Sequence, residues 1–202
     1  MLRLRPFRKN DAKTIITWTN KKEEFYKWSA GILGEYPVTE KRLLEATSGR
    51  EDNDRYFPFT AFDENGLVGF FTARVRPEED DKKLRFGYVI VNPSKRGTGY
   101  GKQMITLGLK FAFEIYGADS VSLGVFENNK QAYYCYKSVG FEENGVREEY
   151  NLCGETWIDI DLEIKKEDIG QCPQDHYAHV LFNSFSVLFF SCPHLKHIPP
   201  NK

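Results

Sequence analysis

Leu2 and Leu4 alternate with Arg3 and Arg5, the two-residue period of a half-buried strand, and Pro6 closes it. The period then lengthens. Ala12, Ile15, Ile16 and Thr19 fall at i, i+3, i+4 and i+7, which predicts a helix with Asn10 as its cap. Residues 23–30 predict a second helix carrying Phe25, Tyr26 and Trp28, and Thr39, with Val38 and Leu43 in staple positions, starts a third that ends near Gly49. From Tyr56 the period returns to two. Residues 56–62, the turn Asp63-Glu64-Asn65-Gly66 and residues 67–75 predict an antiparallel hairpin, because Asn-Gly accepts the positive φ of a tight turn. Residues 84–91 are apolar on both faces, the mark of a strand covered on two sides. Residues 101–116 are apolar nearly all round and predict a buried helix. Val121, Leu123 and Val125 alternate with Ser120, Ser122 and Gly124 in the next strand, residues 130–138 are helical, and Gly140-Phe141 turns the chain back. Ile158, Ile160, Leu162 and Ile164 alternate with Trp157, Asp159, Asp161 and Glu163 in the last strand of a closing hairpin. This order predicts a mixed α/β domain, a central sheet with helices on both faces.

Composition narrows the picture. A chain of 202 residues with 41% hydrophobic content forms one domain with room for an appendage, and needs neither disulfide nor metal to hold a core. Lys and Arg total 28 against 29 for Asp and Glu, so no global field attracts nucleic acid or an anionic membrane, and neither is expected as a partner. Four cysteines at no framework spacing, with no apolar signal region after Met1, predict reduced thiols in a cytoplasmic protein. The longest apolar run, 178–190, is interrupted by Asn183 and Ser184 and is shorter than the roughly 20 residues of a membrane span.

Candidate chemistry concentrates between the covered strand and the buried helix, in Arg96-Gly97-Thr98-Gly99-Tyr100-Gly101-Lys102. Alternate glycines let the backbone turn sharply and gather N–H groups at a helix N-terminus, a cradle for phosphate or pyrophosphate. A Walker A loop would need Ser or Thr where Gln103 stands, and the dinucleotide fingerprint would need Gly where Lys102 stands. About thirty residues on, after a strand, come Asn128, Asn129, Ala132, Tyr136, Gly140 and Phe141. The two motifs together resemble the GNAT superfamily of N-acetyltransferases over about residues 2–164, most closely the branch that includes the ribosomal-protein N-terminal acetyltransferases.

The resemblance implies a mostly antiparallel sheet with a V-shaped splay between its fourth and fifth strands, and acetyl-CoA as cosubstrate. It implies that Arg96, Gly97, Thr98, Gly99, Tyr100, Gly101 and Lys102 hold the pyrophosphate, that backbone groups of Ile90 and Val91 bond the pantetheine arm, and that Asn129 contacts the arm. Tyr136 takes the general-acid position that protonates the departing CoA thiolate, and a Tyr pKa of about 10 suits a donor at neutral pH. Asn129 is equally a helix N-cap, and the two roles coexist. The implied activity is acetyl transfer to a primary amine, of a small molecule or a protein α-amine, by direct attack.

No carboxylate stands in residues 84–91, where many relatives carry a basic Glu. Glu127 through water, Glu78 and Asp81 are the candidate bases, and an α-amine, with a pKa of about 8, needs less help than a lysine near 10.4. The missing carboxylate also keeps a rival reading open, a non-catalytic acyl-CoA-binding or sensor protein. The acceptor wall is expected from residues 20–36 and 150–157. The domain is taken as 1–165 and the tail as 166–202, with a monomer or homodimer as the assembly. Cys172, His176, His179, Cys192, His194 and His197 in the tail are of ligand type but match no zinc spacing, and no metal is expected.

Overall fold

The computed structural model describes residues 1–48, 55–76 and 80–170. The tail beyond residue 170, including its Cys and His residues, and the candidate base Glu78 lie outside the described residues. Strand β1 (Arg3–Pro6) leads into a short helix α1 (Ala12–Ile15), flanked by single 3-10 turns, then α2 (Lys22–Ser29) and α3 (Glu40–Ser48). Three strands follow, β2 (Tyr56–Asp63), β3 (Gly66–Arg74) and β4 (Lys83–Val91). Helix α4 (Tyr100–Lys110) continues into a wider π-helical segment, Phe111–Tyr116, before β5 (Ser120–Phe126), α5 (Lys130–Lys137), β6 (Glu142–Leu152) and β7 (Glu155–Lys165).

Seven strands form one sheet in the order β1-β2-β3-β4-β5-β7-β6. Every pairing is antiparallel except β4 with β5. Helices α4 and α5 cover one face, where Met104, Ile105, Leu109, Phe113 and Tyr136 pack on Phe71, Leu84, Phe86, Leu123 and Leu162. On the other face Ile15, Trp18, Phe25, Trp28 and Leu43 pack against Phe70 and Ile90.

The first helical turn begins earlier than the expected Asn10 cap. Asp11 organises it: its carboxylate accepts from the Arg8 backbone N–H at 3.0 Å, from Arg5 at 2.7 and 2.8 Å and from the buried Thr60 hydroxyl at 2.8 Å. Burial raises the Asp11 pKa, but these bonds outweigh it and hold the carboxyl below its ordinary value. Thr39 does cap its helix, its hydroxyl accepting from the Arg42 N–H at 3.3 Å, with Leu43 fully buried beneath it.

The splay starts within β4. Parallel pairing with β5 covers Lys83 with Ser120, Leu84 with Val121 and Arg85 with Ser122, and stops there. On the other side, β4 stays paired with β3 out to Val91, but between Thr72–Gly87 and Phe70–Ile90 it has two residues where β3 has one. This is a β-bulge, with Tyr88 at φ 50° in the left-handed region, and a bulge bends its strand. The Tyr88 carbonyl accepts from the Trp28 indole N–H at 2.8 Å, so α2 fastens the bend.

Replacing Trp28 with Phe keeps a ring in place but removes that donor. A loss of about 1–3 kcal/mol in urea unfolding is expected, the usual cost of stranding a buried carbonyl. An unchanged unfolding midpoint would show that the bend holds without the indole.

Candidate active site

Beyond the bulge, a cleft of about 630 Å³ lies between the end of β4 and the N-terminal parts of α4 and α5. Val89, Ile90 and Val91 form one wall, and Ile105, Ala132, Cys135 and Tyr136 the apolar floor and opposite side. Arg96, Gly97, Gly99, Gly101 and Lys102 form its mouth, with Asn129 and Lys130 facing them from the start of α5. Gly97 and Gly99 stand at φ 78° and 84°, a conformation that side chains rarely adopt, and Gly99 is the residue from which α4 starts. A loop of this shape with an 11-residue helix behind it binds an anionic group through backbone N–H groups and the helix dipole. The apolar walls beyond it suit a flexible, mostly uncharged arm. The residues therefore fit a CoA thioester.

Ile90, Val91, Arg96, Gly97, Gly99, Gly101, Lys102, Asn129 and Tyr136 thus come together in one cleft. Thr98 and Tyr100 do not line it. The Thr98 hydroxyl donates to the Lys95 carbonyl at 2.7 Å, and the Tyr100 hydroxyl donates to Asp63 at 2.7 Å, so both side chains brace the loop from behind. Strand alternation also divides Ile90 from Val91. The Ile90 carbonyl lies over Gly69 of β3, 2.9 Å from where a Cβ would stand, whereas the Val91 carbonyl, on the cleft side, accepts from Arg96 Nε at 3.1 Å. Ile90 therefore contributes wall rather than backbone bonding, and Val91 is the residue whose backbone faces the opening. Asn129 caps α5, accepting from the Ala132 N–H at 3.4 Å.

Tyr136 is buried, 6% exposed, and burial pushes its phenol well above the ordinary value, with the Cys135 and Asp159 charges adding to the rise. It stays protonated across the neutral range. Burial likewise raises the Cys135 thiol, which Lys102 offsets only in part, leaving an inert thiol against Gly101.

Of the expected acceptor wall, Trp28 lines the cleft, whereas Tyr150 and Trp157 do not line it and pack edge-on against Phe126 at 5.4 and 5.3 Å. Of the expected bases, Glu127 sits half-exposed 3.8 Å from Arg147, and Asp81 pairs with Arg55 at 2.7 Å at the surface. Neither lines the cleft. Asp159, which does not line the cleft either but stands over Gly124 just past the last β4–β5 pair, is the group that the sequence pattern hid, because strict alternation in β7 reads its polar positions as a solvated face. In the structure that face is half-covered, and burial raises the Asp159 carboxyl to about 6 despite the neighbouring Arg85.

The chain matches the Acetyltransferase (GNAT) family over residues 18–141, which include the bulge, the cradle and Tyr136. The chain belongs to this family. Among GNAT relatives, the spermine/spermidine N(1)-acetyltransferase of Bacillus subtilis (strain 168) is 33% identical over 94 residues, 45% of this chain and 62% of that protein. A mycothiol acetyltransferase of Rhodococcus jostii (strain RHA1) is 30% identical over 108 residues, 52% of this chain and 35% of that protein. The chain thus spans less than two thirds of the length of these curated relatives. Of solved structures, spermidine N-acetyltransferase from Vibrio cholerae in complex with CoA and spermine superposes with a TM-score of 0.71 at 22% identity, over 83% of this chain and 97% of that one. The shared GNAT fold is the mixed α/β sheet with its single parallel pair. Among the described residues, no helix is long and apolar enough to cross a membrane.

The GNAT cradle is tied to the β2–β3 hairpin through Asp63. Its carboxylate accepts from Lys95 Nζ at 2.7 and 2.8 Å and from Tyr100, which together draw its pKa from 3.8 down to about 2. A depressed folded pKa stabilises above the unfolded value and loses that contribution as pH falls through the folded one. The Asp63→Asn variant is expected to melt below the unaltered protein at pH 7, with the gap closing between pH 4 and 2. A gap that stays constant to pH 2 in thermal melts would remove the ion pair as its source.

Proposed function

We propose that this protein transfers the acetyl group of acetyl-CoA to a primary amine. The observation that carries this reading is the meeting, in one cleft, of a glycine-rich anion cradle, a splayed pair of parallel strands and a buried, protonated Tyr136. Arg96, Lys102 and the backbone of residues 97–101 hold the pyrophosphate, and Val91 faces the thioester carbonyl, where a backbone N–H acts as oxyanion donor. A neutral amine attacks that carbonyl directly. As the tetrahedral intermediate collapses, Tyr136 gives its proton to the sulfur, so that a thiol leaves in place of a thiolate. No nucleophilic cysteine takes part.

The relatives named for spermine and spermidine support that branch of the family in place of the ribosomal-protein one, and a small polyamine among the expected small-molecule and protein α-amine acceptors. Glu24 on the cleft lining and the carboxylates of Glu148, Asp159 and Asp161 on β6 and β7 agree with a polycationic acceptor.

A thiol-release assay with acetyl-CoA and a panel of amines (spermine, spermidine, a lysine peptide and a free N-terminal peptide) tests the reading. Release is expected to be fastest with the polyamines and to fall about 100-fold in Tyr136→Phe, with acetyl-CoA affinity unchanged by calorimetry. Binding without release on every acceptor would instead establish the non-catalytic acyl-CoA sensor.

A further inference from the structure

Residues 157, 159, 161 and 163 of β7 share the face of the sheet opposite α4 and α5, because Ile160, Leu162 and Ile164 between them enter the core beneath those helices. By register Asp159 pairs with Phe126 and Asp161 with Gly124. The Asp159 side chain nevertheless leans back along β5. A Cβ placed on Gly124 would stand 2.4 Å from Asp159 Oδ2, 2.9 Å from Oδ1 and 2.9 Å from Arg85 Nη2, so the carboxylate and the guanidinium beside it share the space that glycine leaves free. Gly124 is the second residue past Ser122, where the pairing of β4 with β5 ends, so the carboxylate sits over the beginning of the splay. Tyr136 reaches the same region from the α5 face and registers the Asp159 charge.

The surroundings leave this carboxylate available. Arg85 of β4, the nearest cation, bonds Asp161 and the Ser122 hydroxyl, and Asn144 of β6 also bonds Asp161 at 2.6 Å. No hydrogen bond to Asp159 is present among the described residues. The groups facing it are Arg85 and Arg76, which favour its ionised form, Asp161 and Glu148, which oppose it, and the Tyr136 and Tyr150 phenols.

We propose that Asp159 is the proton acceptor for the attacking amine, a role that rests on the acetyl-transfer reading above. The two proton-transfer groups then lie on opposite faces of the sheet, with the reacting carbonyl in the gap between the strands. The amine lone pair forms the C–N bond while the carbonyl π pair moves to oxygen. The positively charged nitrogen gives one proton to Asp159. The oxygen pair re-forms the carbonyl as the C–S bond breaks, and the sulfur takes its proton from Tyr136. Solvent returns the Asp159 proton to the Tyr136 phenolate, and the products are amide and CoA thiol. Arg85, bound to Asp161, is a positioning residue that fixes the neighbourhood without neutralising the base.

The test is kcat against pH with saturating acetyl-CoA and spermine, or whichever amine of the panel reacts fastest. The unaltered protein is expected to lose activity on the acid side with a midpoint near 6, where the Asp159 carboxyl titrates. In Asp159→Asn that limb should vanish and kcat fall about 100-fold or more, with acetyl-CoA affinity unchanged, whereas Asp159→Glu should keep the limb. Gly124→Ala provides a second variant, since the new methyl displaces the carboxylate and the Arg85 guanidinium beside it without removing either. It too should lower kcat while acetyl-CoA still binds. An acid limb that persists in Asp159→Asn, or a rise in the KM for the amine with kcat unchanged, overturns the assignment but leaves the acetyl-transfer reading intact. Absence of thiol release by the unaltered protein with every amine overturns both.

Discussion

Two adjacent parallel strands normally stay bonded along their length, and here β4 and β5 part after three pairs. The parting follows from one extra residue in β4. With β3 still bonded on the far side, the bulge at Tyr88 turns the end of β4 out of line with β5, and the backbone groups of Val91 face a gap in place of a neighbouring strand. The cost is a left-handed non-glycine residue and a displaced carbonyl, and the Trp28 indole offsets part of it. Parallel strands also need a crossover, which here is α4, so the helix that connects β4 to β5 begins beside the gap and points its N-terminus at it. Cleft, anion cradle and exposed strand backbone are therefore consequences of one topological choice.

The glycine-rich loop after β4 is anchored by a carboxylate from another hairpin. Its stability is borrowed from the far side of the sheet, where Asp63 at the end of β2 holds Lys95 and Tyr100. This explains why two residues of the motif, Thr98 and Tyr100, turn away from the cleft: a glycine-rich segment ordered for ligand binding needs side chains spent on bracing. Asp11 is a second such brace, joining β1, the first helical turn and β2 through one carboxylate.

Much of this was legible in the sequence. Period-two and period-3.6 runs predict the strands and helices, and the two motifs carry the family, the cleft and Tyr136. The bulge was not legible, since Phe86, Tyr88 and Ile90 continue an unbroken alternation, and only pairing with β3 reveals that Tyr88 is an added residue. The Asn10 cap failed for a related reason. Asp11, one position on, has partners in Arg5 and Thr60 that are brought to it by tertiary structure. Asp159 was hidden most completely. Its alternation with Ile158 and Ile160 is that of a solvated strand face, and the groups that face it include Arg85 and Tyr150, brought there by two other strands. Even the small side at Gly124, which admits the carboxylate, reads in isolation as an ordinary weak strand position.

Desolvation has one physical sense at this site, favouring neutral forms, but it leaves two groups in opposite states at neutral pH, one protonated and one ionised. In Tyr136 it strengthens the hold on the proton, so the phenol stays neutral at neutral pH. In Asp159 it brings a carboxylate from the usual acid range to about 6, still ionised at neutral pH yet a better proton acceptor than an exposed aspartate. Arg85 sets the limit on that rise. Were its guanidinium bonded to Asp159 in place of Asp161, the carboxyl would fall back toward the acid range and lose its basicity. Were it absent, two adjacent carboxylates would repel and Asp159 would move toward permanent protonation. The observed arrangement, with the cation bonded to the neighbour, holds Asp159 between those limits, and it depends on the one stretch where β4 and β5 still pair, because Arg85 stands opposite Ser122 in the last pair before the strands diverge.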